Sequence, residues 1–341
     1  MDVDLPAIYC PYPVREHAAI ERITEESFDW ADRFGIYPSD QYRKIARHAQ
    51  FPWWHGLITP TADENRILPF AKFLSLQTVV AEFMPQELAR QPGAVADLIA
   101  RVECTLEVHN AKVLADYPNI MGALEDLVPQ LRQLANPVQY ERWLESARQD
   151  LQSIIRETWV NSRGINLSVN EYIPLRVRTM QITPYFFSND IVCERAVPDL
   201  LYSRLDVRAL HCLVLAHIGI RNDVRGYRKD ASEEQCNFIP SLIRDTRCSE
   251  GEAIAQSVRM LDSIMYRCLE IRARAEKGEI PDTLLEHIDN TLSVISATLA
   301  YEQHARHSWY KYAGDMAQEF SDSPSSVAPL SYPAIAWCWE M

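Results

Sequence analysis

The stretch that decides the fold is residues 198–230, PDLLYSRLDVRALHCLVLAHIGIRNDVRGYRKD. Its first two thirds carry apolar residues at helical spacing, including Leu210, Leu213 and Ile218. A long apolar run of this kind predicts a buried helix over residues 198–229. The sequence therefore predicts a helical core, with charged side chains gathered at one end of its most apolar helix.

Helix-period patterns continue on both sides, from residue 15 to about residue 312. Residues 62–84 are apolar on nearly all sides, which is typical of a helix inside a bundle or beside a cavity. Helix boundaries are marked by Gly35, by Pro92-Gly93, by Asn136-Pro137 and by the capping box from Ser249 to Glu252. No convincing strand pattern or internal repeat is visible, so we expect no sheet of more than two short strands, and the 10 glycines are too few for a Rossmann fold or a sandwich. We therefore predict an all-α bundle of about ten helices.

One domain over residues 1–341 is the expected organisation. The tail, residues 321–341, is rich in Ser and Pro, yet it contains Trp337 and Trp339. Two tryptophans this late in the chain predict a tail that folds back onto the body.

Composition excludes several classes of function. The net charge of −13 and the lack of a Lys/Arg cluster argue against nucleic-acid binding. None of the 8 cysteines forms a C-x-x-C pair, so we expect reduced thiols in a cytoplasmic protein. The acidic start, Met1-Asp-Val-Asp4, is unlike a signal peptide, and no apolar run approaches the length of a membrane span.

The end of the apolar helix carries the chemistry. Asn222, Gly226 and Asp230 are spaced i, i+4, i+8 and lie along one helix face. Side-chain oxygens of Asn222 and Asp230 suit a hard cation such as Mg2+, and Arg228 and Lys229 add positive charge for an anionic substrate. The alternative is a solvated polar end of a buried helix, and this short pattern alone favours that alternative.

The same segment resembles the magnesium motif N-D-x-x-S-x-x-(K/R)-(E/D) of class I terpene synthases, the terpene cyclases. Asn222, Asp223, Lys229 and Asp230 match it. Gly226 stands where the family has Ser or Thr, so the resemblance implies that a water replaces that hydroxyl as a ligand at this position.

Further matches occur in the family's order along nearly the whole chain. Arg176 takes the place of the arginine that senses the diphosphate, followed by Thr179 and Met180 near the linker and effector positions. Lys311-Tyr312 resembles the family's C-terminal Arg-Tyr pair. The resemblance implies that Arg176, Lys311 and Tyr312 are catalytic and that these residues, with Arg228 and Lys229, bind the substrate diphosphate.

The family's first metal motif, D-D-x-x-D/E, is missing. Alignment through Pro92-Gly93 puts Val79-Val80 on the two aspartates, and a shorter loop puts Ala81-Glu82 there. Since apolar side chains offer no lone pairs, we expect fewer Mg2+ ions than the family's three. Glu82 is the candidate replacement ligand, although a role without metal is the favoured alternative for it.

The resemblance implies a bacterial-type terpene synthase that converts a linear prenyl diphosphate, farnesyl diphosphate by preference, into a terpene. The alternative is a degenerate homologue that binds prenyl diphosphate or a protein partner without catalysis. Aromatic faces stabilise cations, and the candidate liners of a central apolar cavity are Phe73, Trp159, Phe186, Tyr301 and Trp309. For each of them plain core packing is the alternative. The sequence leaves open whether the protein forms a homodimer.

Overall fold

A computed structural model describes residues 6–108, 110–304 and 319–340. The described residues form two short strands and sixteen α-helices, more than the ten or so predicted, and this all-α architecture confirms the predicted fold class. The helices are α1 (Ile20–Phe34), α2 (Asp40–Ala49), α3 (Phe51–Ile58), α4 (Glu64–Thr78), α5 (Met84–Glu87), α6 (Pro92–Glu107), α7 (Pro118–Leu134), α8 (Pro137–Arg163), α9 (Val169–Thr179), α10 (Thr183–Val192), α11 (Asp199–Tyr202), α12 (Leu205–Ser232), α13 (Phe238–Thr246), α14 (Glu250–Glu276), α15 (Leu285–His304) and α16 (Pro333–Ala336).

Local sequence signals place the ends of several helices. Gly35 ends α1 in the left-handed region, at φ 61°, where glycine has no steric penalty. Ser249 caps α14 through a capping box with Glu252, as predicted. Pro92 and Pro137 each occupy the first position of a helix, where the missing N–H costs nothing.

The most apolar helix begins later than the sequence predicted. Instead of starting at residue 198, it is interrupted after Tyr202, and α12 begins at Leu205. Leu200 is 79% exposed, so no core contact holds this first turn in line with α12. From Val207 onward α12 is buried on most sides and packs against α14, α15 and α9 at the centre of the bundle.

The segment around α4 is the second central element. It packs against α1, α3 and α7, which explains why its sequence is apolar on nearly all sides. By length and composition Glu64–Glu87 is one candidate membrane span among the described residues, but 72% of its most apolar window is buried inside the protein. Burial of this extent is what a core helix requires.

A π-helical turn, Val79–Phe83, joins α4 to α5. Its hydrogen bond runs from the Met84 N–H to the Val79 carbonyl, five residues back instead of four. The turn therefore holds one more residue than an α-helical turn, and this changes which side chains face the neighbouring helices.

The C-terminal tail lies against the body of the protein. β1 (Ile8–Tyr9) and β2 (Phe320–Ser321) form a two-stranded parallel pair, and Asp262 of α14 accepts hydrogen bonds from Tyr9 and Ser325. Beyond α16, Cys338 is fully buried. The tail therefore closes one side of the bundle near α12 and α14.

Candidate active site

A cavity of about 210 Å³ lies between α3, α4, α9, α10, α12 and α15. Its aromatic walls are Phe51, Trp54, Tyr185 and Tyr301, so one of the five aromatic liners predicted from the sequence is in place. The Tyr301 hydroxyl donates to the Ala49 carbonyl at 2.6 Å. The two α3 residues were missed, although the aromatic cluster of residues 51–54 was a visible signal.

Three of the predicted liners lie elsewhere. Phe73 is buried in an edge-to-face contact with Trp143, with ring centroids 4.7 Å apart. Phe186 stacks on His211 with its centroid also 4.7 Å away, and Trp159 is 47% exposed. These predictions were wrong because helical periodicity identifies a buried face but not the neighbour that covers it.

A polar pocket of about 110 Å³ adjoins the apolar cavity and forms its mouth. The two spaces share lining residues from the π-turn, α8, α9 and α12: Ala81, Glu82, Ile154, Arg176, Thr179 and Asn222. Lys229, Asp230 and Glu157 line only the polar part. The mouth therefore brings Arg176 of α9 together with Asn222 and Asp230 of α12.

Arg176 is the best-fixed cation in this mouth. Its Nη2 lies 2.7 Å from Asn222 Oδ1 and 2.7 Å from Asp223 Oδ1, and its Nη1 lies 3.8 Å from Glu157. Burial lowers the pKa of Arg176, but Asp223 and the other nearby acids outweigh it and keep the pKa well above the usual value. A Cβ on Gly219 would lie 2.9 Å from Arg176 Cγ, so the absence of a side chain at Gly219 leaves the space that the Arg176 side chain occupies.

Asp223 anchors Arg176 from below. Burial raises the pKa of Asp223 to about 6, against the lowering effect of Arg176. Its Oδ2 accepts a hydrogen bond from the Tyr172 hydroxyl at 2.7 Å and another from the Phe238 N–H at 3.1 Å. Asp223 matches the motif without a role predicted for it, and its contacts make it a positioning residue for Arg176.

The predicted metal face of α12 has an unexpected arrangement at Gly226. A Cβ on Gly226 would lie 3.1 Å from Asp230 Oδ2, so the Asp230 carboxylate occupies the space above the glycine. Asn237 Nδ2 donates to the same oxygen at 2.8 Å. Helical side chains lean toward the N-terminus, and the missing side chain at Gly226 lets Asp230 lean toward Asn222. The water that we predicted at Gly226 has correspondingly less room.

The two basic residues of this segment separate. Lys229 lines the mouth, with Nζ 3.1 Å from Glu233 and 3.7 Å from Asp230. Arg228 is exposed and lines neither the cavity nor the mouth, so its placement among the substrate-binding residues is not supported by the geometry. The reason is helical rotation, because one residue turns the side chain by about 100°.

The π-turn distinguishes the two alignments of the missing motif. Val79 and Val80 are buried in the core and line neither space, whereas Ala81 and Glu82 line both. Gln86 donates to Glu82 Oε1 at 2.9 Å, and burial raises the pKa of Glu82. The positions facing the mouth are therefore Ala81-Glu82, with a single carboxylate.

Glu157 on α8 is a third carboxylate at the mouth, beside Glu82 and Asp230, and no sequence motif predicted it. Burial raises its pKa to about 7, although Arg176 works in the opposite direction. Glu157 lies within the long helical pattern after Asn136, where no motif distinguishes it from other polar helix residues.

Trp309, Lys311 and Tyr312 lie outside the described residues. Their predicted contacts with substrate therefore stay predictions.

The donor atoms at the mouth fit a hard divalent cation. Asn222 and Asp230 supply oxygens from one helix, and Glu82 supplies one from the opposite wall. Within the described ranges no three His, Cys, Asp or Glu side chains form a ready metal cluster. Mg2+ commonly takes one or two protein carboxylates and completes its shell with water and phosphate oxygens, so the residues present suit a site that substrate completes.

Comparisons with known proteins agree with this geometry. The family model described as terpene synthase family 2, C-terminal metal binding, matches residues 72–267. The chain is 26% identical over 356 residues to bonnadiene synthase of Allokutzneria albata, a match that covers 99% of this chain and 98% of that protein. It is 25% identical to (+)-T-muurolol synthase ((2E,6E)-farnesyl diphosphate cyclizing) of Streptomyces clavuligerus, over 98% of this chain and 81% of that protein.

Solved structures share the fold. A mutant of the SVS_A2 protein from ancestral sequence reconstruction matches with a TM-score of 0.86 and 25% identity, covering 99% of this chain and 98% of that one. Linalool/nerolidol synthase from Streptomyces clavuligerus matches with a TM-score of 0.74 and 16% identity, covering 87% of this chain and 100% of that one. The resemblance predicted from the motifs is confirmed, and the chain belongs to the terpene synthase family.

Proposed function

We propose that this protein is a terpene synthase that ionises a linear prenyl diphosphate, farnesyl diphosphate by preference, and cyclises the resulting cation. One observation carries the proposal. Arg176, Asn222 and Asp230 converge at the polar mouth of an aromatic-walled cavity. The name of the (+)-T-muurolol synthase relative supports a farnesyl substrate.

The mouth is suited to the diphosphate. Arg176 presents a planar guanidinium that can hold two phosphate oxygens, and Lys229 adds a point charge beside it. Mg2+, held by Asn222 and Asp230, would supply the Lewis acidity that helps the diphosphate leave. These groups are fixed before reaction, so they stabilise the developing negative charge without reorganisation.

The cavity is suited to the hydrocarbon chain. Phe51, Trp54 and Tyr185 offer ring faces or edges around an apolar space, and Tyr301 has its hydroxyl tied to the Ala49 carbonyl. Aromatic faces attract a cation without acting as a nucleophile. A carbocation formed at the mouth can therefore move inward and cyclise before water reaches it.

The proposed enzyme departs from the family pattern at the π-turn. In the part of the chain that the structure describes, the π-turn presents one carboxylate to the mouth, that of Glu82, with Ala81 beside it. We therefore propose fewer than three Mg2+ ions, with protein cations supplying part of the charge. We also propose that the chain works as one domain in the cytoplasm.

The deciding experiment is incubation of the full chain with C10, C15 and C20 prenyl diphosphates and Mg2+, with products analysed by mass spectrometry. We expect cyclic products from the C15 substrate and none when the metal is chelated. Binding of the diphosphates without any turnover would favour the degenerate, non-catalytic homologue instead. If the protein neither binds nor turns over a prenyl diphosphate of any of these chain lengths, the proposal is contradicted.

A further inference from the structure

A buried carboxylate in the wall of the cavity has no part in the diphosphate grip. Glu302, in the last turn of α15, is 2% exposed and lines the apolar cavity beside Tyr301. Among the described residues its Oε1 is buried and accepts no hydrogen bond. Leaving such an atom without a partner is costly, so a buried oxygen of this kind calls for an explanation.

The other oxygen of Glu302 is firmly held. Arg225 Nη1 donates to Oε2 at 2.9 Å, and Arg221 Nη2 lies 3.4 Å from the same atom. Both arginines come from α12, and their side chains are only 12% and 4% exposed. Two guanidiniums on one carboxylate oxygen fix its position.

Glu302 differs from most other residues of the cavity wall in carrying a carboxylate away from the mouth. Among the described residues the apolar cavity is lined by two acidic side chains, Glu82 and Glu302. Glu82 also lines the polar mouth, where the diphosphate is proposed to bind, whereas Glu302 does not. Most other cavity positions are aromatic, aliphatic or neutral polar and cannot take a proton from carbon.

We infer that Glu302 is the base that ends the reaction by taking a proton from the final carbocation. The inference rests on the proposed function. A C–H bond next to the cationic carbon breaks, its electron pair forms the alkene, and the proton goes to Oε1 of Glu302. The carboxylate becomes a neutral acid, and the diphosphate keeps the negative charge with which it left. No oxidant or further reactant is needed.

The competing explanation is that Glu302 only neutralises Arg221 and Arg225. In that case removing the carboxylate would disturb α12 around Arg221 and Arg225, and the rate of ionisation would change because Asn222 and Asp230 lie on the same helix. A base that acts after ionisation instead controls which product forms. The product pattern and the rate of diphosphate release therefore separate the two roles.

The test compares the parent with Glu302→Gln on farnesyl diphosphate and Mg2+. We expect the share of the parent's main alkene to fall at least about 10-fold, with isomeric alkenes or alcohols in its place. Diphosphate release should change by less than about 3-fold, because ionisation precedes the proton transfer. Glu302→Asp keeps the charge but withdraws it by one methylene, and it should restore part of the original product share.

Controls keep the result interpretable. Glu286→Gln makes the same chemical change on the same helix, at a side chain that is 75% exposed, and should leave the product pattern unchanged. If Glu302→Gln loses its helical circular dichroism, the double variant Glu302→Gln/Arg225→Gln removes one of the two buried positive charges that faced the carboxylate and still lacks the base.

The outcomes separate the inference from the function beneath it. A parent that turns over no prenyl diphosphate contradicts the proposed function, and the assignment of the base falls with it. An active parent with an unchanged product pattern in Glu302→Gln contradicts only the assignment of the base, as does a parent that makes alcohols alone. Slower diphosphate release with an unchanged product pattern would assign Glu302 to neutralising the arginines.

Discussion

The π-turn at residues 79–83 and the α12 segment at residues 222–230 face each other across the same mouth, yet they contribute different chemistry. The α12 segment presents Asn222, Lys229 and Asp230, whereas the π-turn presents Ala81 and Glu82. Both lie in central helices with apolar sequences. The difference teaches that one helix can keep its packing role after most of the chemistry at its end is gone.

The reason lies in the two faces of the π-turn. Val79 and Val80 point into the core, where their methyl groups fill space, and only the next two residues reach the mouth. On α12 a comparable separation exists, since Val224 is buried while Asn222 lines the cavity. Each helix end therefore has a packing side and a chemical side, which can change independently.

The strongest way to break this comparison is to place an aspartate on each side of the π-turn. Val80→Asp buries a carboxylate in the core and should lower the free energy of unfolding by about 3 kcal/mol or more. Ala81→Asp points toward the mouth, and we expect a far smaller loss of stability together with tighter Mg2+-dependent pyrophosphate binding. Chemical denaturation measures the loss of stability, and calorimetry measures pyrophosphate binding. Equal destabilisation by both variants would mean that residue 81 is packed in the core like residue 80 and does not face the mouth.

A second test compares the carboxylates of the two regions. Asp230→Asn should lower kcat/KM about 100-fold, because it weakens the proposed metal grip directly. Glu82→Gln should cost about 10-fold if Glu82 supplies one ligand from the opposite wall. Both are measured as the release of diphosphate from farnesyl diphosphate.

The matched control for this test is Glu87→Gln, an exposed carboxylate one turn beyond the π-turn. It should behave like the parent. Neutral behaviour of Glu82→Gln in an active enzyme would mean that the protein ionises its substrate without a ligand from the π-turn. A complete loss of turnover in a folded Glu82→Gln protein would mean that Glu82 has taken over most of the missing motif.

The smallest expected effect concerns the packing of Arg176 against Gly219 of α12. Gly219→Ala places a methyl group against Arg176 Cγ, which must shift to avoid a separation of 2.9 Å. Since the charge of Arg176 is unchanged, we expect pyrophosphate affinity to fall about 5-fold, with little change in helical circular dichroism. Calorimetry on Gly219→Ala and on Gly251→Ala, where nothing lies within 4 Å, gives the comparison. Equal pyrophosphate affinities of the two variants would show that the packing of Arg176 against Gly219 does not affect binding.

The fold was largely predictable because its signals are local. Gly35, Pro92 and the capping box at Ser249 mark helix ends through contacts within a few residues. The motif order assigned Arg176 to the diphosphate and Asn222 to the metal, and the structure places their atoms 2.7 Å apart.

The walls of the cavity were harder to predict, because they depend on how helices rotate against one another. Phe73 and Phe186 sit on buried faces as the pattern indicates, but other aromatic rings cover them. The Arg225–Glu302 pair joins residues 77 positions apart, and nothing local links the two. The break before Leu205 also escaped prediction, since an apolar sequence on both sides hides it.

The extra residue in the π-turn makes the position of Glu82 a matter of chain length as well as residue identity. Removing one residue from Val79–Phe83 would allow an ordinary α-helix to run from α4 into α5 with both flanking helices in their present register. The side chains of α4 and α5 would keep their packing, and the lost position would decide which residue of the shortened turn faces the mouth. A single-codon deletion can therefore change the chemistry of this wall without repacking the helices on either side.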